Sequence, residues 1–234
     1  MKDVTLVIPV YNESECIEKV ISSWNTYLSS LKLNFGLIVL NDGSKDNTKD
    51  VLEKIKNNYS NLTVINKENS GHGNTILQGY QLATKEDTQW IFQVDSDDQF
   101  FPEDFKLLWD KRNESDFILG CRLHRQDAFH RLIITRIVRL ITLILFGVYS
   151  KDTNIPFRLM KKSYLSELLK RFSPDVFAPN IFLSVLAIKD RQPVFHIPVK
   201  HKDRETGQVS IIRWKLVKIC FRCVKELLIF RLFW

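Results

Sequence analysis

Three aspartates crowd into one short segment of the chain, residues 95–99, which reads Asp-Ser-Asp-Asp-Gln. It follows an apolar run, residues 90–94, that predicts a buried strand, and it precedes Pro102, which suits the first turn of a helix. The carboxylates therefore come at the C-terminal end of a strand, where open α/β sheets bind ligands. Repulsion makes such a cluster costly unless a cation or hydrogen-bond donors offset it, and carboxylate oxygens suit Mg²⁺ or Mn²⁺, which hold diphosphates. The alternative is a solvated turn in which an aspartate caps the helix.

Polar segments also follow other predicted strands. Residues 9–13 read Pro-Val-Tyr-Asn-Glu, and residues 41–44 read Asn-Asp-Gly-Ser. Asp42 could accept hydrogen bonds from a base or ribose at the same sheet edge as Asp95, although an Asp-Gly pair alone is typical of a simple turn. Residues 69–74 contain two glycines at the entry to a helix, where the backbone can approach an anionic ligand closely. No Gly-x-Gly-x-x-Gly follows the first strand and no Gly-Lys-Ser/Thr loop is present, which disfavours dinucleotide and P-loop sites.

The elements that must position these segments alternate along the first half of the chain. Apolar runs at residues 4–9, 35–40 and 90–94 predict buried strands, and residues 62–66 predict a further strand. Helices at about 13–30, 48–58 and 73–83 separate them. Continuous apolar strands between helices predict a parallel sheet covered on both faces. The second half is less regular, with strands predicted at 117–122, within 152–160 and at 193–200, and helices at 129–147, 163–172 and 181–189. We predict one α/β domain, residues 1–210, followed by a C-terminal helix, residues 211–234.

Composition bounds the class of protein. The chain has 234 residues, 44% hydrophobic and 26% charged, and its net charge of +7 indicates an anionic partner: a nucleotide, a membrane surface or nucleic acid. Cys220 and Cys223 form a Cys-x-x-Cys without a second ligand pair, which predicts buried reduced thiols in a reducing, cytosolic setting rather than zinc. No signal peptide is predicted, and the longest strongly apolar uncharged run, residues 140–150, is shorter than the roughly 20 residues that a membrane span needs.

As an ordered set, residues 8–13, 41–44, 69–71 and 95–99 resemble the family 2 glycosyltransferases of the GT-A fold. The second half is similar to their dolichyl- or polyprenyl-phosphate sugar synthase branch, through residues 120–122, Arg131, Thr135, residues 152–158 and residues 204–210. The resemblance implies a Rossmann-like α/β fold with a mostly parallel central sheet and helices on both faces. It departs from the pattern where Asn41 replaces an aspartate, where Ile155-Pro156 replace Ser-Gly, and where Ile211 replaces a lysine.

The candidate residues form two sets. The nucleotide-sugar site comprises Pro9, Tyr11, Glu13, Asp42, Gly71, Asp95 and Ser96. The catalytic set comprises Asp97, Asp98, Gln99, Arg122, Arg131, Asp152 and Arg204. By resemblance, Asp95 and Asp97 hold Mg²⁺ or Mn²⁺ and the diphosphate, Gln99 lies near the sugar, and the three arginines neutralise phosphates.

The implied activity is inverting sugar transfer from a UDP- or GDP-linked donor to a polyprenyl phosphate or other lipid-linked acceptor, as in cell-envelope glycan synthesis. A lipid phosphate is largely ionised near neutral pH, since its second pKa is about 6, and needs little help from a base. A hydroxyl acceptor on a growing polysaccharide or glycan is the alternative, and it requires a carboxylate such as Asp152 or Asp98. A third hypothesis is a degenerate nucleotide-sugar fold that serves as a membrane scaffold. A nucleic-acid partner is not predicted, because it leaves the carboxylate cluster unexplained.

Two segments raise the question of a membrane. The helix predicted at residues 129–147 has one broad apolar stripe, which suits either core packing or membrane contact. In the last helix Lys215, Lys218, Arg222 and Lys225 form a cationic stripe beside apolar residues, and Phe233 and Trp234 close the chain. This pattern predicts peripheral binding at the cytoplasmic face of a membrane, with a membrane protein or a second copy as further possible partners. The alternative is a helix docked on the domain with a solvated basic face.

Overall fold

The computed structural model describes residues 1–122, 129–149, 152–171, 176–203 and 213–232, and the side chains of these except 129–135, 213–221 and 232. The strands are β1 (Lys2–Val10), β2 (Phe35–Asp42), β3 (Leu62–Lys67), β4 (Thr88–Val94), β5 (Phe117–Arg122), β6 (Phe157–Lys161) and β7 (Val194–Val199). The helices are α1 (Ile17–Ser30), α2 (Thr48–Lys56), α3 (His72–Ala83), α4 (Phe105–Trp109), α5 (Phe129–Phe146), α6 (Lys162–Leu169), α7 (Pro179–Lys189) and α8 (Arg213–Leu232). A 3₁₀ turn, Pro102–Asp104, leads into α4 as Pro102 predicts.

The described strands form one seven-stranded sheet in the order β3-β2-β1-β4-β6-β5-β7. Strands β1 to β4 are mutually parallel, as their apolar runs predict, and β7 is parallel to β5. Strand β6 runs antiparallel between β4 and β5, a placement that the sequence pattern does not predict. The mostly parallel α/β fold is thus confirmed, and the ends of β1, β2 and β4 meet at one edge.

Alternation along β4 divides the core into two faces. Phe92 points to the α1 side, where its ring lies 5.4 Å from that of Trp24 and 5.0 Å from that of Phe105. The next residue, Gln93, points to the α3 side and is fully buried. One face of the central strand is therefore aromatic and the other carries a polar group beneath the site.

Helix α3 packs closely against its neighbours at two of its glycines. A Cβ on Gly79 would collide with the side chain of Val7 on β1 and crowd that of Leu40 on β2, and a Cβ on Gly73 would collide with the backbone of Phe177. The close approach fixes the N-terminus of α3 beside the ends of β1 and β2.

A second apolar cluster joins the last helix to the body of the protein. The ring of Phe230 on α8 lies 6.1 Å from that of Phe146 on α5 and 5.0 Å from that of Phe182 on α7. The N–H of Phe177 donates to Glu226 Oε2 on α8 at 2.9 Å. Helix α8 is thus docked, while the predicted division at residue 210 falls outside the described residues and stays a prediction.

The described residues bear on the predictions about the cysteines and about membrane-spanning helices. Cys223 is a buried thiol there, and no group of three His, Cys, Asp or Glu side chains is placed to hold a metal ion. The side chain of Cys220 lies outside it. None of the described helices has the length and apolarity needed to cross a bilayer.

We expect Gly79→Ala to destabilise the fold by about 1–3 kcal/mol, because the added methyl overpacks the contact between α3 and the sheet. Alanine normally stabilises a helix interior relative to glycine by up to about 1 kcal/mol, so the sign is diagnostic. Urea unfolding measures the change, with Gln78→Ala on the same helix as the control. An unchanged or raised free energy of unfolding for Gly79→Ala would contradict the close approach.

Candidate active site

The first loop, which follows β1, and the second loop, which follows β2, are hydrogen-bonded to each other at the edge of the sheet. The N–H of Asn12 donates to Ser44 Oγ at 2.9 Å, and the N–H of Glu13 donates to Thr48 Oγ1 at 2.9 Å. In return Asn12 Oδ1 accepts the N–H of Lys45 at 2.8 Å. These bonds position the predicted residues Pro9, Tyr11 and Glu13 next to the end of β2. In this loop Glu13 is buried, while the side chain of Tyr11 is partly exposed.

Asp42 anchors the third loop, which joins β3 to α3. Its Oδ1 accepts the N–H of Ser70 at 2.8 Å and its Oδ2 that of Gly71 at 3.0 Å, while the ammonium of Lys67 also donates to Oδ1. Burial alone would raise the pKa of Asp42, but the hydrogen bonds from Lys67 and Ser70 outweigh it and hold the pKa below its usual range. The carboxylate therefore fixes Gly71, at φ +89°, where α3 begins.

Asn41 shows why an amide replaces the carboxylate of the related pattern. Its Nδ2 donates to Asn66 Oδ1 at 2.8 Å, and its Oδ1 accepts the hydroxyl of Ser44 at 2.6 Å. An ionised aspartate has no donor for Asn66. The amide thus links β2, β3 and the second loop without adding a charge beside Asp42.

Asp95 is the first carboxylate after β4, and its surroundings leave its charge incompletely compensated. Burial raises its pKa despite the nearby side chains of His72 and Arg122. His72 Nε2 lies 3.8 Å from Asp95 Oδ1, which brings the start of α3 to the carboxylate cluster. Gln93 Nε2 lies 3.5 Å from the same oxygen. The last residue of β4 but one and the first turn of α3 therefore both face Asp95.

Asp98 is held by two lysines that the sequence does not single out. Its Oδ2 accepts from Lys19 Nζ at 2.7 Å and from Lys202 Nζ at 2.6 Å. Burial would raise its pKa, but these two hydrogen bonds outweigh burial and lower it. A carboxylate so engaged is a weak proton acceptor, so the geometry favours positioning over general-base work for Asp98.

The same loop is tied to the segment that follows β7. Gln99 Nε2 donates to the carbonyl of Lys202 at 3.0 Å, and the N–H of Lys202 donates to the carbonyl of Gln99 at 3.0 Å. Asp97 precedes this hydrogen-bonded segment. It is partly exposed, and its Oδ1 accepts the N–H of Gln99 at 3.4 Å. The loop therefore presents Asp97 at the rim while its flanks are fixed.

A buried thiol connects the first loop to the carboxylate loop, residues 95–99. Cys16 Sγ lies 3.3 Å from Glu13 Oε2 and 3.3 Å from the carbonyl oxygen of Ser96. Ser96 itself is buried. The sequence gives only the signal of a small buried thiol here, and its contact with the predicted site residues depends on the fold.

Arg122 and Asp152 come together across the sheet edge. Arg122 Nη1 lies 3.7 Å from Asp152 Oδ2, and the two side chains are 17% and 5% exposed. No described residue accepts a hydrogen bond from the buried Nε of Arg122. The fully buried Arg158 holds the segment after Asp152, donating to the carbonyls of Thr153 at 3.2 Å and Ile155 at 3.0 Å. An anion reaching Arg122 would thus find a donor already desolvated.

A buried polar network links the two sides of the site. The Tyr80 hydroxyl lies 2.5 Å from Gln93 Oε1 and 2.8 Å from Asn180 Oδ1, and Asn180 Nδ2 donates to Gln93 Oε1 at 2.9 Å. Arg158 Nη1 donates to the carbonyl of Asn180 at 3.1 Å. The network runs from the strand beneath Asp95 to the arginine that holds the segment after Asp152.

The remaining catalytic candidates are not placed at the site by the described residues. Arg131 lies on α5, but its side chain is outside the described part of the chain, and Arg204 lies outside it altogether. Their roles stay predictions. The residues that sequence reasoning missed are Cys16, Lys19, Lys67, Tyr80, Asn180 and Lys202.

Comparisons with known proteins give a family match and a set of structural neighbours. The family described as glycosyl transferase family 2 matches residues 5–169. A crystal structure of glucosyl-3-phosphoglycerate synthase from Mycobacterium tuberculosis with phosphoglyceric acid has a TM-score of 0.72 and 17% identity, covering 98% of this chain and 80% of that one. The complex of that protein with Mn²⁺, UDP and phosphoglyceric acid has a TM-score of 0.74 and 16% identity, covering 98% and 78%. The likeness to these structures confirms the predicted GT-A fold.

Asp42→Asn removes the charge that holds the third loop, and we expect it to cost about 2 kcal/mol near neutral pH, since hydrogen bonds to charged groups contribute about 1.5–3 kcal/mol. The folded pKa is the lowered one. The wild-type contribution is therefore complete above the unfolded pKa of about 3.9 and is lost as the pH falls through the folded value. Urea unfolding near neutral pH and below the unfolded pKa measures the change. Asp87→Asn, at a side chain that is 79% exposed, is the control. A wild-type minus variant difference that does not shrink at the acidic pH would contradict the ionic role.

Tyr80→Phe removes the hydroxyl from the buried network and leaves Asn180 Oδ1 without that partner. We expect a loss of about 1–3 kcal/mol in the free energy of unfolding, the usual cost of an unsatisfied buried polar group. Chemical denaturation measures it, with Tyr59→Phe at a partly exposed tyrosine as the matched control. Equal stability of the two variants would show that the network is not coupled through Tyr80.

Proposed function

Because this chain belongs to glycosyl transferase family 2, we propose that it is a metal-dependent, inverting enzyme that transfers a sugar from a nucleoside-diphosphate sugar to a lipid-linked phosphate such as a polyprenyl phosphate. The observation that carries the proposal is the convergence at one sheet edge of the Asp95–Asp97 pair with the loops that bear Glu13, Asp42 and Gly71. The glycosyltransferase class rests on the family, and the lipid acceptor is the finer step that the experiment below tests.

The donor set at this edge fits a hard divalent cation. Asp95 and Asp97 supply carboxylate oxygens, and Mg²⁺ usually takes one or two carboxylates together with substrate phosphates and water rather than a complete protein cage. Glucosyl-3-phosphoglycerate synthase has been crystallised with Mn²⁺ and UDP-glucose, at 16% identity to this chain. Such a cation would stabilise negative charge on the departing diphosphate.

Arg122 supports an acceptor that carries a phosphate. Its guanidinium is mostly buried, and its Nε is without an acceptor among the described residues. Arginine binds phosphate through a planar fork of donors. A phosphate acceptor is ionised near neutral pH and attacks without a general base, which agrees with the engagement of Asp98 by two lysines.

The second candidate is transfer to a small soluble phosphorylated acceptor. It is favoured by the neighbours, whose crystals contain phosphoglyceric acid or glycerol 3-phosphate. Transfer to a hydroxyl would require a proton acceptor, and Asp152 is the better placed of the two predicted candidates because Asp98 is held by lysines. The scaffold hypothesis does not explain why the loop of residues 95–99 is held by hydrogen bonds on both sides of a partly exposed Asp97.

The experiment is Mn²⁺- or Mg²⁺-dependent release of UDP or GDP from a panel of nucleotide sugars, with polyprenyl phosphate, with 3-phosphoglycerate and without acceptor. Release stimulated by polyprenyl phosphate, with sugar in the lipid fraction, is the expected result. Stimulation by 3-phosphoglycerate alone would replace the lipid with the soluble acceptor. Metal-dependent release indifferent to both would point to hydroxyl acceptors, and no release from folded protein would favour the scaffold.

Asp97→Asn should lower the rate of transfer about 100-fold or more while leaving the fold intact, because a neutral amide binds a divalent cation poorly. Initial rates at saturating metal measure the change, and circular dichroism verifies the fold. Asp110→Asn, at an exposed carboxylate on the surface after α4, is the matched control. A folded Asp97→Asn variant with wild-type activity would remove Asp97 from the metal site.

A further inference from the structure

We propose that the outer faces of α5 and α8 form a surface that seats this protein on an anionic lipid bilayer. The proposal deepens the proposed function, since a lipid acceptor is reached at a bilayer. It commits to one occupant, a membrane containing anionic lipid, and is argued from the side chains that these two helices expose.

Helix α5 exposes a row of aliphatic side chains. The exposed fractions are 44% for Ile137, 56% for Leu140, 44% for Leu143 and 70% for Ile144. At 100° per residue these four fall within one arc of about 120°, together with the exposed Arg136. A helix on the surface of a water-soluble domain normally places polar residues on such an arc.

The opposite side of α5 is already used for packing. Thr142 and Phe146 are buried there, and Phe146 belongs to the cluster that includes Phe182 of α7 and Leu227 of α8. The exposed aliphatic arc therefore lies outside the core that these three helices share. The two alternatives for this helix, core packing and membrane contact, apply to its two different sides.

Helix α8 continues the surface with a mixture of cations and aliphatic residues. Leu228 and Ile229 are 46% and 43% exposed, and Lys225 and Arg231 are exposed beside them. Helix α8 packs directly on α5, so the exposed side of each helix faces away from their common cluster.

Charge identifies the occupant. The described exposed residues on these two outer faces are aliphatic or cationic, apart from Gly147 just beyond α5, and none is acidic. Glu226, the one carboxylate of α8, is engaged by the N–H of Phe177 and by Arg222. Cations beside aliphatic side chains match anionic headgroups over acyl chains. A second copy docked through the same surface would set cations against cations.

The chain connects this surface to the candidate site. Helix α5 is entered a few residues after Arg122 and is left a few residues before Asp152, and these two residues face each other at the sheet edge. Tyr149, just after α5, is 59% exposed, and aromatic residues of this kind favour the headgroup region. Both ends of α5 are therefore joined by short segments to residues of the candidate site.

The test is flotation of the full chain with phosphatidylcholine vesicles, with and without phosphatidylglycerol. We expect binding that requires the anionic lipid and weakens with salt. The double variant Leu140→Gln/Ile144→Gln should bind at least about tenfold more weakly, because each aliphatic side chain stabilises the bound state when it leaves water. Leu107→Gln is the matched control, since Leu107 is 47% exposed on α4. Lys225→Gln should weaken binding about fivefold, and Lys49→Gln on α2 should leave it unchanged.

Any of three results would overturn the proposal: no flotation of folded wild-type protein, equal binding to neutral and anionic vesicles, or equal losses in the double variant and in Leu107→Gln. A concentration-dependent dimer that Ile144→Gln dissociates, without vesicle binding, would replace the bilayer with a second copy. Because flotation needs no turnover, failure here is distinguishable from failure of the proposed transfer reaction, which is measured with soluble donor and detergent-solubilised acceptor.

Discussion

Electrostatic repulsion among three carboxylates in one short loop is the constraint on which the arrangement of this site depends. The structure reduces this repulsion at one of the three, because Lys19 and Lys202 both form ion pairs with Asp98. Unpaired, three such groups would repel and raise one another's pKa values. With Asp98 paired to two lysines, less repulsion acts on the neighbouring carboxylates Asp95 and Asp97.

The two lysines also determine which parts of the chain are joined. Lys19 lies on α1 and Lys202 follows β7, so Asp98 connects the first helix of the fold to the end of the last strand. Two further hydrogen bonds join Gln99 to Lys202, one from the Gln99 side-chain amide to the Lys202 carbonyl and one from the Lys202 N–H to the Gln99 carbonyl. The chain that continues beyond Lys202 toward Arg204 therefore starts from a point fixed on the carboxylate loop, which couples the two halves of the fold.

Local pattern predicts what is local here and fails where the partner is distant. Continuous apolar runs such as β1 and β2 predict buried parallel strands because both faces must be covered. The antiparallel insertion of β6 is not predictable, since its short sequence would suit either direction and its neighbours are chosen by long-range packing. Lys19 and Lys202 resemble ordinary solvated lysines in sequence, and only the fold brings them to one oxygen. Asp42 shows the same limit. The N–H groups that donate to its carboxylate, those of Ser70 and Gly71, are placed by the glycine-dependent position of α3.

The family fold alone does not decide the acceptor, but the surface beside the site constrains it. An enzyme whose acceptor is a small soluble phosphate gains nothing from exposing Ile137, Leu140 and Ile144 to water, and each uncovered aliphatic side chain forgoes about 25 cal/mol per Å² of burial. Such a row is retained when something covers it during function. The described exposed residues around this row are cationic rather than acidic, which favours anionic lipid headgroups as that cover.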